Sequence, residues 1–168
     1  GADIRNPQLQ RYGNHGRSVA GLTEFLYDST AQLQSVVRPS ELNKYLDIIY
    51  SGTIPPNPTD LLTNGRYDQL LAEIKANYDY IILDTAPLML VTDTFLIANS
   101  ADATIYVTRS GYTEKELVAF ANKNIEQDKL QNVGFVLNDV EKDYFGYGNK
   151  YGYGYGTEKK NFFSFLKR

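Results

Sequence analysis

The run "YDYIILDTAP", Tyr78 to Pro87, constrains the fold more than any other stretch of this chain. Its apolar residues are consecutive rather than alternating, so it reads as a strand buried on both faces of a parallel sheet. It ends in an acidic residue, Asp84, followed by Thr85 and then Pro87, which cannot continue a central strand. Three further runs read the same way by length and β-branched content: "YLDIIYSG" from Tyr45, "ATIYVTRS" from Ala103 and "NVGFVLNDV" from Asn132. Helical patterns separate them. "PTDLLTNGRYDQLLAEIKANY" places Leu61, Leu62, Leu70, Leu71 and Ile74 near helical spacing, with Thr59 as cap and a break or kink at Asn64-Gly65. "TDTFLIANS" is a short helix. "TEKELVAFANKNIEQDKL" carries Leu117, Phe120, Ala121 and Ile125 on one face, capped by Thr113 with Glu116 completing a capping box. "SVAGLTEFLYD" adds another short helix. Strands alternating with helices predict an α/β domain with a mostly parallel sheet flanked by helices.

Composition then removes whole classes of function. The 168 residues contain no cysteine and a single histidine, His15, so thiolate metal sites, cysteine nucleophiles and multi-histidine sites are excluded. A net charge of -3 offers no whole-protein argument for nucleic acid, and no nucleic-acid partner is expected. No apolar run approaches the roughly 18 residues of a membrane span.

An aspartate at the carboxyl end of a buried strand is placed where open α/β sheets bind ligands. Asp84 there can hold magnesium beside nucleotide phosphates, or it can simply make a turn. At the amino end, "ADIRNPQLQ" sets Asp3 and Arg5 either side of Ile4 before Asn6-Pro7 turns the chain, a pairing that suits a metal-phosphate site. "GNHGRS", Gly13 to Ser18, is a surface turn: a phosphate loop needs GxxxxGK(S/T), and here the spacing is short and Arg17 stands for lysine.

Beyond Asp143 the pattern changes. "YFGYGNKYGYGYGTEKK" spaces tyrosines with glycines and carries no strand or helix period. Glycine contributes nothing to a core, so the stretch is built for exposure and reach. The chain divides into an α/β core over 1–143 and a tyrosine- and glycine-rich tail over 144–168.

In order, "ADIRNPQL", "GLTEFL", "SGTIPPNPTDLL", "YDYIILDTAP", "VTDTFLIANSADATIYVTRSGYT", "VGFVLNDV" and the tyrosine cluster resemble the bacterial tyrosine autokinases of capsular and exopolysaccharide biosynthesis. The resemblance implies a P-loop ATPase fold related to the septum-site ATPases, with ATP and Mg2+ as cofactors in the complete parent. It implies that "ADIR" is the end of a modified Walker A-prime motif, Asp-x-Asp-x-Arg. Asp3 is then its second aspartate, acting at the metal, Arg5 its arginine, and Gly1 stands where the first aspartate belongs. Asp84 becomes the Walker B magnesium residue. Asn138 lies near the adenine, and Arg109 lies on the same nucleotide edge. Tyr144, Tyr147, Tyr151, Tyr153 and Tyr155 become phospho-acceptors. The implied partners are other copies of the protein in trans, an upstream membrane co-polymerase region and a tyrosine phosphatase, at the cytoplasmic side of the bacterial inner membrane.

The Walker A loop and its lysine are absent from these residues, so the sequence reads as the carboxy-terminal part of the kinase domain, truncated before the phosphate loop and inactive alone. The expected sheet then carries an unprotected edge beside the strand ending in Asp84. Tyr45, Tyr50, Tyr78, Tyr80 and Tyr106 are expected to be packed in or beside strands. Two alternatives stay open: a non-catalytic ATPase-like module that docks through its aromatic tail, and a partitioning or septum-site ATPase relative.

Overall fold

The computed structural model describes residues 1–12 and 19–141. The "GNHGRS" turn and the tyrosine-rich tail lie outside the described residues. The chain folds as helices around two small sheets. Its elements in order are α1 (Leu22–Tyr27), β1 (Val37–Pro39), β2 (Asp47–Ile49), α2 (Pro58–Leu62), α3 (Arg66–Lys75), α4 (Asp93–Ala98), β3 (Thr104–Arg109), α5 (Lys115–Glu126) and β4 (Val133–Asn138).

The two β-branched runs near the carboxyl end form the expected parallel pair. β3 and β4 run in register from Thr104 opposite Val133 to Arg109 opposite Asn138. The crossover is α5, whose Ala121 is fully buried beneath Phe120, Tyr106 and Val133. Tyr106 also stacks obliquely on Phe135, with ring centroids 5.4 Å apart. Only this face is covered. Ile105, Val107 and Val136, on the opposite face, are exposed among the described residues, so burial on both faces does not hold here.

The other two strand expectations change more. "YLDIIYSG" yields only β2, and β2 pairs antiparallel with β1. β1 was not anticipated: it is three residues long and ends in Pro39, which belongs on an edge. "YDYIILD" runs extended but joins no ladder among the described residues. From Tyr80 onward its side chains alternate as a strand's would: Ile81 and Leu83 pack against the main core, while Tyr80 and Ile82 are each 88% exposed; Tyr78 also packs on that core, outside this alternation. Tyr45 is likewise exposed, at 82%. Packing therefore accounts for Tyr50 and Tyr106, not for Tyr45 or Tyr80. Tyr78 is held through its hydroxyl, which donates to Asp47 at 2.5 Å.

The main core gathers Ile4, Leu22, Phe25, Leu26, Val36, Leu70 and Ile97. The helix expected over Pro58–Tyr78 breaks at Asn64-Gly65 into α2 and α3, because Gly65 adopts φ +83°, a left-handed conformation that suits glycine. Pro58 takes the first turn of α2 behind Asn57, so Thr59 lies inside the helix rather than capping it. Likewise α5 starts after Glu114, and Thr113 uses its hydroxyl to accept from the Arg109 amide. Arg66, at the start of α3, fastens α1: its guanidinium donates to the carbonyls of Phe25, Asp28 and Ala31 and lies 4.1 Å over the Phe25 ring. A second, smaller core surrounds Leu88, Ala121 and Leu130. α4 belongs to both, with Ile97 in the first and Phe95 and Ala98 against the second.

Candidate functional site

The two acidic motifs, with Asp3 and Asp84 81 positions apart in the chain, meet through their main chains. The amides of Ala2 and Asp3 both donate to the carbonyl of Asp84, at 2.7 and 3.0 Å. The burial of Ala2 and Ile4 in the core holds this register. Asp3 is half-buried, and its Oδ1 accepts from the amides of Arg5 and Asn6, at 3.1 and 2.9 Å. That bond pair closes the tight turn which Asn6-Pro7 suggests. It leaves Oδ2 without a hydrogen bond from the described residues. Asp84 presents an exposed carboxylate at the end of its extended run.

Arg5 points away from this pair. Its Nε and Nη2 donate to Oδ2 and Oδ1 of Asp93, at 2.6 and 3.2 Å, and Nη2 also donates to the Thr59 hydroxyl at 3.2 Å. Thr59 in turn donates to Asp93 Oδ1 at 2.8 Å. Asp93 is the first residue of α4 and is only 4% exposed. The Arg5 guanidinium, and after it the Thr59 hydroxyl, hold the Asp93 carboxyl below the usual carboxylate range against the opposing effect of burial. Arg5 is correspondingly raised by its hydrogen bond to Asp93. Asp93 and Thr59 were not singled out as site residues in the sequence. Nothing local in the sequence announces that Asp93 has a partner 88 positions away.

The nucleotide-edge candidates also come together. Arg109 and Asn138 are opposite one another at the carboxyl ends of β3 and β4. Ser110 donates its amide to the Asn138 carbonyl. The Arg109 side chain pairs with Asp139 at 2.7 Å and lies 5.1 Å over the Tyr112 ring, both in solvent-exposed positions. Tyr144, Tyr147, Tyr151, Tyr153 and Tyr155 lie outside the described residues.

A third cluster flanks the proline-rich connector. Glu24 accepts the Gly21 amide on Oε2 at 2.7 Å, and the Thr53 amide and hydroxyl on Oε1 at 3.0 and 2.7 Å. Partial burial pushes this carboxyl up, but the bonds from Thr53 and Gly21 outweigh it and hold the group low. The carboxylate thereby pins Ser51-Gly52-Thr53, from which the chain reaches α2 and Thr59.

Asp3 and Asp84 suit a magnesium ion. Mg2+ takes hard oxygen donors, is commonly bound by one or two carboxylates, and keeps water and substrate phosphates for its remaining positions. Among the described residues there is no group of three or more acidic or histidine side chains that would form an all-protein metal cage. A cavity of about 590 Å³ opens nearby, between α3, Ile49 and residues 78–83, but it is lined mainly by apolar side chains and contains neither Asp3 nor Asp84. It is not a phosphate site. No helix among the described residues is long and apolar enough to cross a membrane.

No protein-family profile matches the chain. Individual relatives do. The tyrosine-protein kinase CpsD of Streptococcus agalactiae is 32% identical over 159 residues, covering 95% of this chain and 69% of the relative. The tyrosine-protein kinase YwqD of Bacillus subtilis is 36% identical over 161 residues, covering 96% and 65%. CpsD from another S. agalactiae strain, 35% identical, is spanned over 63% of its length. In structure, the kinase domain of the Escherichia coli tyrosine kinase ETK superposes with a TM-score of 0.74 at 30% identity, over 84% of this chain and 54% of that one. The VpsO kinase domain gives 0.75 at 28%, over 83% and 68%. The paired aspartates, the connector and the order of the elements thus sit in a chain similar along nearly its whole length to these kinases: it belongs to the bacterial tyrosine-protein kinases.

Proposed function

We propose that this chain is the part of an ATP-dependent tyrosine autokinase that supplies its metal carboxylates, its nucleotide edge and its acceptor tyrosines, and that the complete protein regulates capsule or exopolysaccharide polymerisation and export. The observation that carries the reading is the docking of the Ala2 and Asp3 amides on the Asp84 carbonyl, which brings the backbones of the two aspartates together. Asp84 and Asp3 Oδ2 are the oxygens that would hold Mg2+. When bound, the ion neutralises charge on the transferring phosphoryl group. Asp3 would also orient an attacking tyrosine hydroxyl at the metal. Arg109 and Asn138 frame the nucleotide edge. The 168 residues contain no GxxxxGK(S/T), so no phosphate loop of that form is among them.

The tail tyrosines Tyr144, Tyr147, Tyr151, Tyr153 and Tyr155 are the acceptors, offered to another copy. Each phosphate adds about -1.5 to -2 charges at pH 7, and several in one tail repel one another and release it from its docking site. A tyrosine phosphatase would reset the cycle, and a membrane co-polymerase region would anchor it.

In the complete kinase, Asp84→Asn and Asp3→Asn should each lower autophosphorylation by at least ~100-fold, since each removes charge from the metal while keeping side-chain volume. Anti-phosphotyrosine blotting after incubation with Mg-ATP reads the result. Wild-type rates in both variants would overturn the metal assignment.

A further inference from the structure

We infer that Asp93, with Thr59, is a positioning residue for the metal carboxylate: it holds Arg5 so that the turn built on Arg5 and Asn6 aims Asp3 beside Asp84. The inference rests on the reading of Asp3 and Asp84 as the metal carboxylates.

Hydrogen bonds lead from a buried anchor to an open oxygen. Asp93 is fixed in the first turn of α4, a helix wedged between both cores. Its carboxylate takes two donors from one guanidinium, a bidentate arrangement that fixes orientation as well as distance. Thr59 ties the same guanidinium and the same carboxylate from α2. The Arg5 side chain is therefore held from two helices. Its own backbone amide, with that of Asn6, is what Asp3 Oδ1 accepts. A shift of Arg5 moves both amides and turns the Asp3 carboxylate, whose other oxygen is the one left for a metal.

This gives Arg5 a role other than contact with phosphate, because two of its three guanidinium nitrogens are already occupied. It also explains why a buried aspartate stands at the start of α4. A simple helix-end preference would be met by an exposed carboxylate. Residues that orient metal ligands typically change metal affinity 10–100-fold when altered, whereas a purely structural pair changes stability and leaves affinity alone.

The test uses the complete kinase with Mn2+ as the probe, counted by electron paramagnetic resonance in the presence of ADP, so that no turnover is needed. Asp93→Asn should weaken Mn2+ binding by ~10-fold and raise the half-saturating Mg2+ concentration for phosphorylation similarly, with KM for ATP at saturating metal nearly unchanged. Thr59→Val, at an exposed position, should weaken Mn2+ binding by a few-fold. A folded Asp93→Asn variant with Mn2+ affinity within twofold of wild type overturns the inference. If Asp93→Asn fails to fold, unchanged affinity in Thr59→Val does so instead. Asp3→Asn and Asp84→Asn serve as the reference. If they leave Mn2+ binding intact, the metal reading itself falls and this inference with it. If they abolish binding while Asp93→Asn and Thr59→Val leave it unchanged, this inference falls alone.

Discussion

Gly52 offers a sharp test of how the proline-rich connector is held. It sits at φ +83°, and a Cβ built there would lie 2.0 Å from Glu24 Oε2 and 3.2 Å from the Gly21 amide nitrogen. Gly52→Ala therefore carries two separable penalties. The left-handed backbone costs an ordinary residue about 1–2 kcal/mol. The clash must also drive off the Glu24 carboxylate, breaking three hydrogen bonds. Such bonds to charged groups are worth about 1.5–3 kcal/mol each when buried. Glu24 is only half-buried and water can replace part of each, so about 2 kcal/mol for all three is reasonable. The single substitution should then destabilise by about 3–4 kcal/mol, and Glu24→Ala alone by about 2. In the Glu24→Ala background no carboxylate remains to be displaced, so Gly52→Ala should add only about 1–2 kcal/mol. Urea unfolding of the four proteins, compared at equal m-values, measures the cycle. Equal costs for Gly52→Ala in both backgrounds would show that the carboxylate does not hold the connector.

Because Asp93 is held below its ordinary value in the folded protein, its contribution is present above an unfolded pKa of about 3.9 and is lost as pH falls through its folded value. The stability difference between wild type and Asp93→Asn should be full at pH 5 to 7 and shrink below about pH 4. Urea midpoints across that range read it, and a difference that grows on acidification would contradict the sign. In the complete kinase, peptide mass spectrometry should place most phosphate between Tyr144 and Tyr155, and replacing Tyr144, Tyr147, Tyr151, Tyr153 and Tyr155 together by Phe should eliminate it. Normal phosphotyrosine in that variant would move the acceptors elsewhere, with exposed Tyr45 and Tyr80 the first to examine.

What the sequence made legible divides by the range of the interaction. β3 and β4 declare themselves because short runs of consecutive β-branched and apolar residues, "TIYV" and "FVL", favour strands even though one face of the pair stays exposed. The break between α2 and α3 is written locally in Asn64-Gly65. "YIILD" was misjudged for the opposite reason. Its apolar content is that of a strand, but a ladder requires a neighbour, and composition cannot supply one. The Asp3–Asp84 approach was anticipated only through the resemblance, since a bond between main chains leaves no mark on side-chain identity. The Arg5–Asp93–Thr59 network was hidden entirely. Thr59 reads as a helix cap, a sufficient local explanation, and Asp93 stands in a short helix with nothing in its neighbours to mark it.

The hidden network also bears on how the two ends of the proposed site are coupled. Asp3 and Asp84 belong with the main core, whereas Arg109 and Asn138 belong to the sheet over the second. α4 is packed against both, through Ile97 on one side and Phe95 and Ala98 on the other. It has six residues and no side-chain hydrogen bond at its amino-terminal cap, and a helix this short is not stable by itself. Its place depends on packing at the middle and on Asp93 at the start. The ion pair with Arg5 is thus a fixed point shared by the metal end and by the helix that reaches the nucleotide end. An ordinary surface salt bridge, worth little, could not serve this way. This one is buried on the Asp93 side and bound twice over by Thr59, so removing Arg5 leaves the Asp93 carboxylate buried without its charged partner.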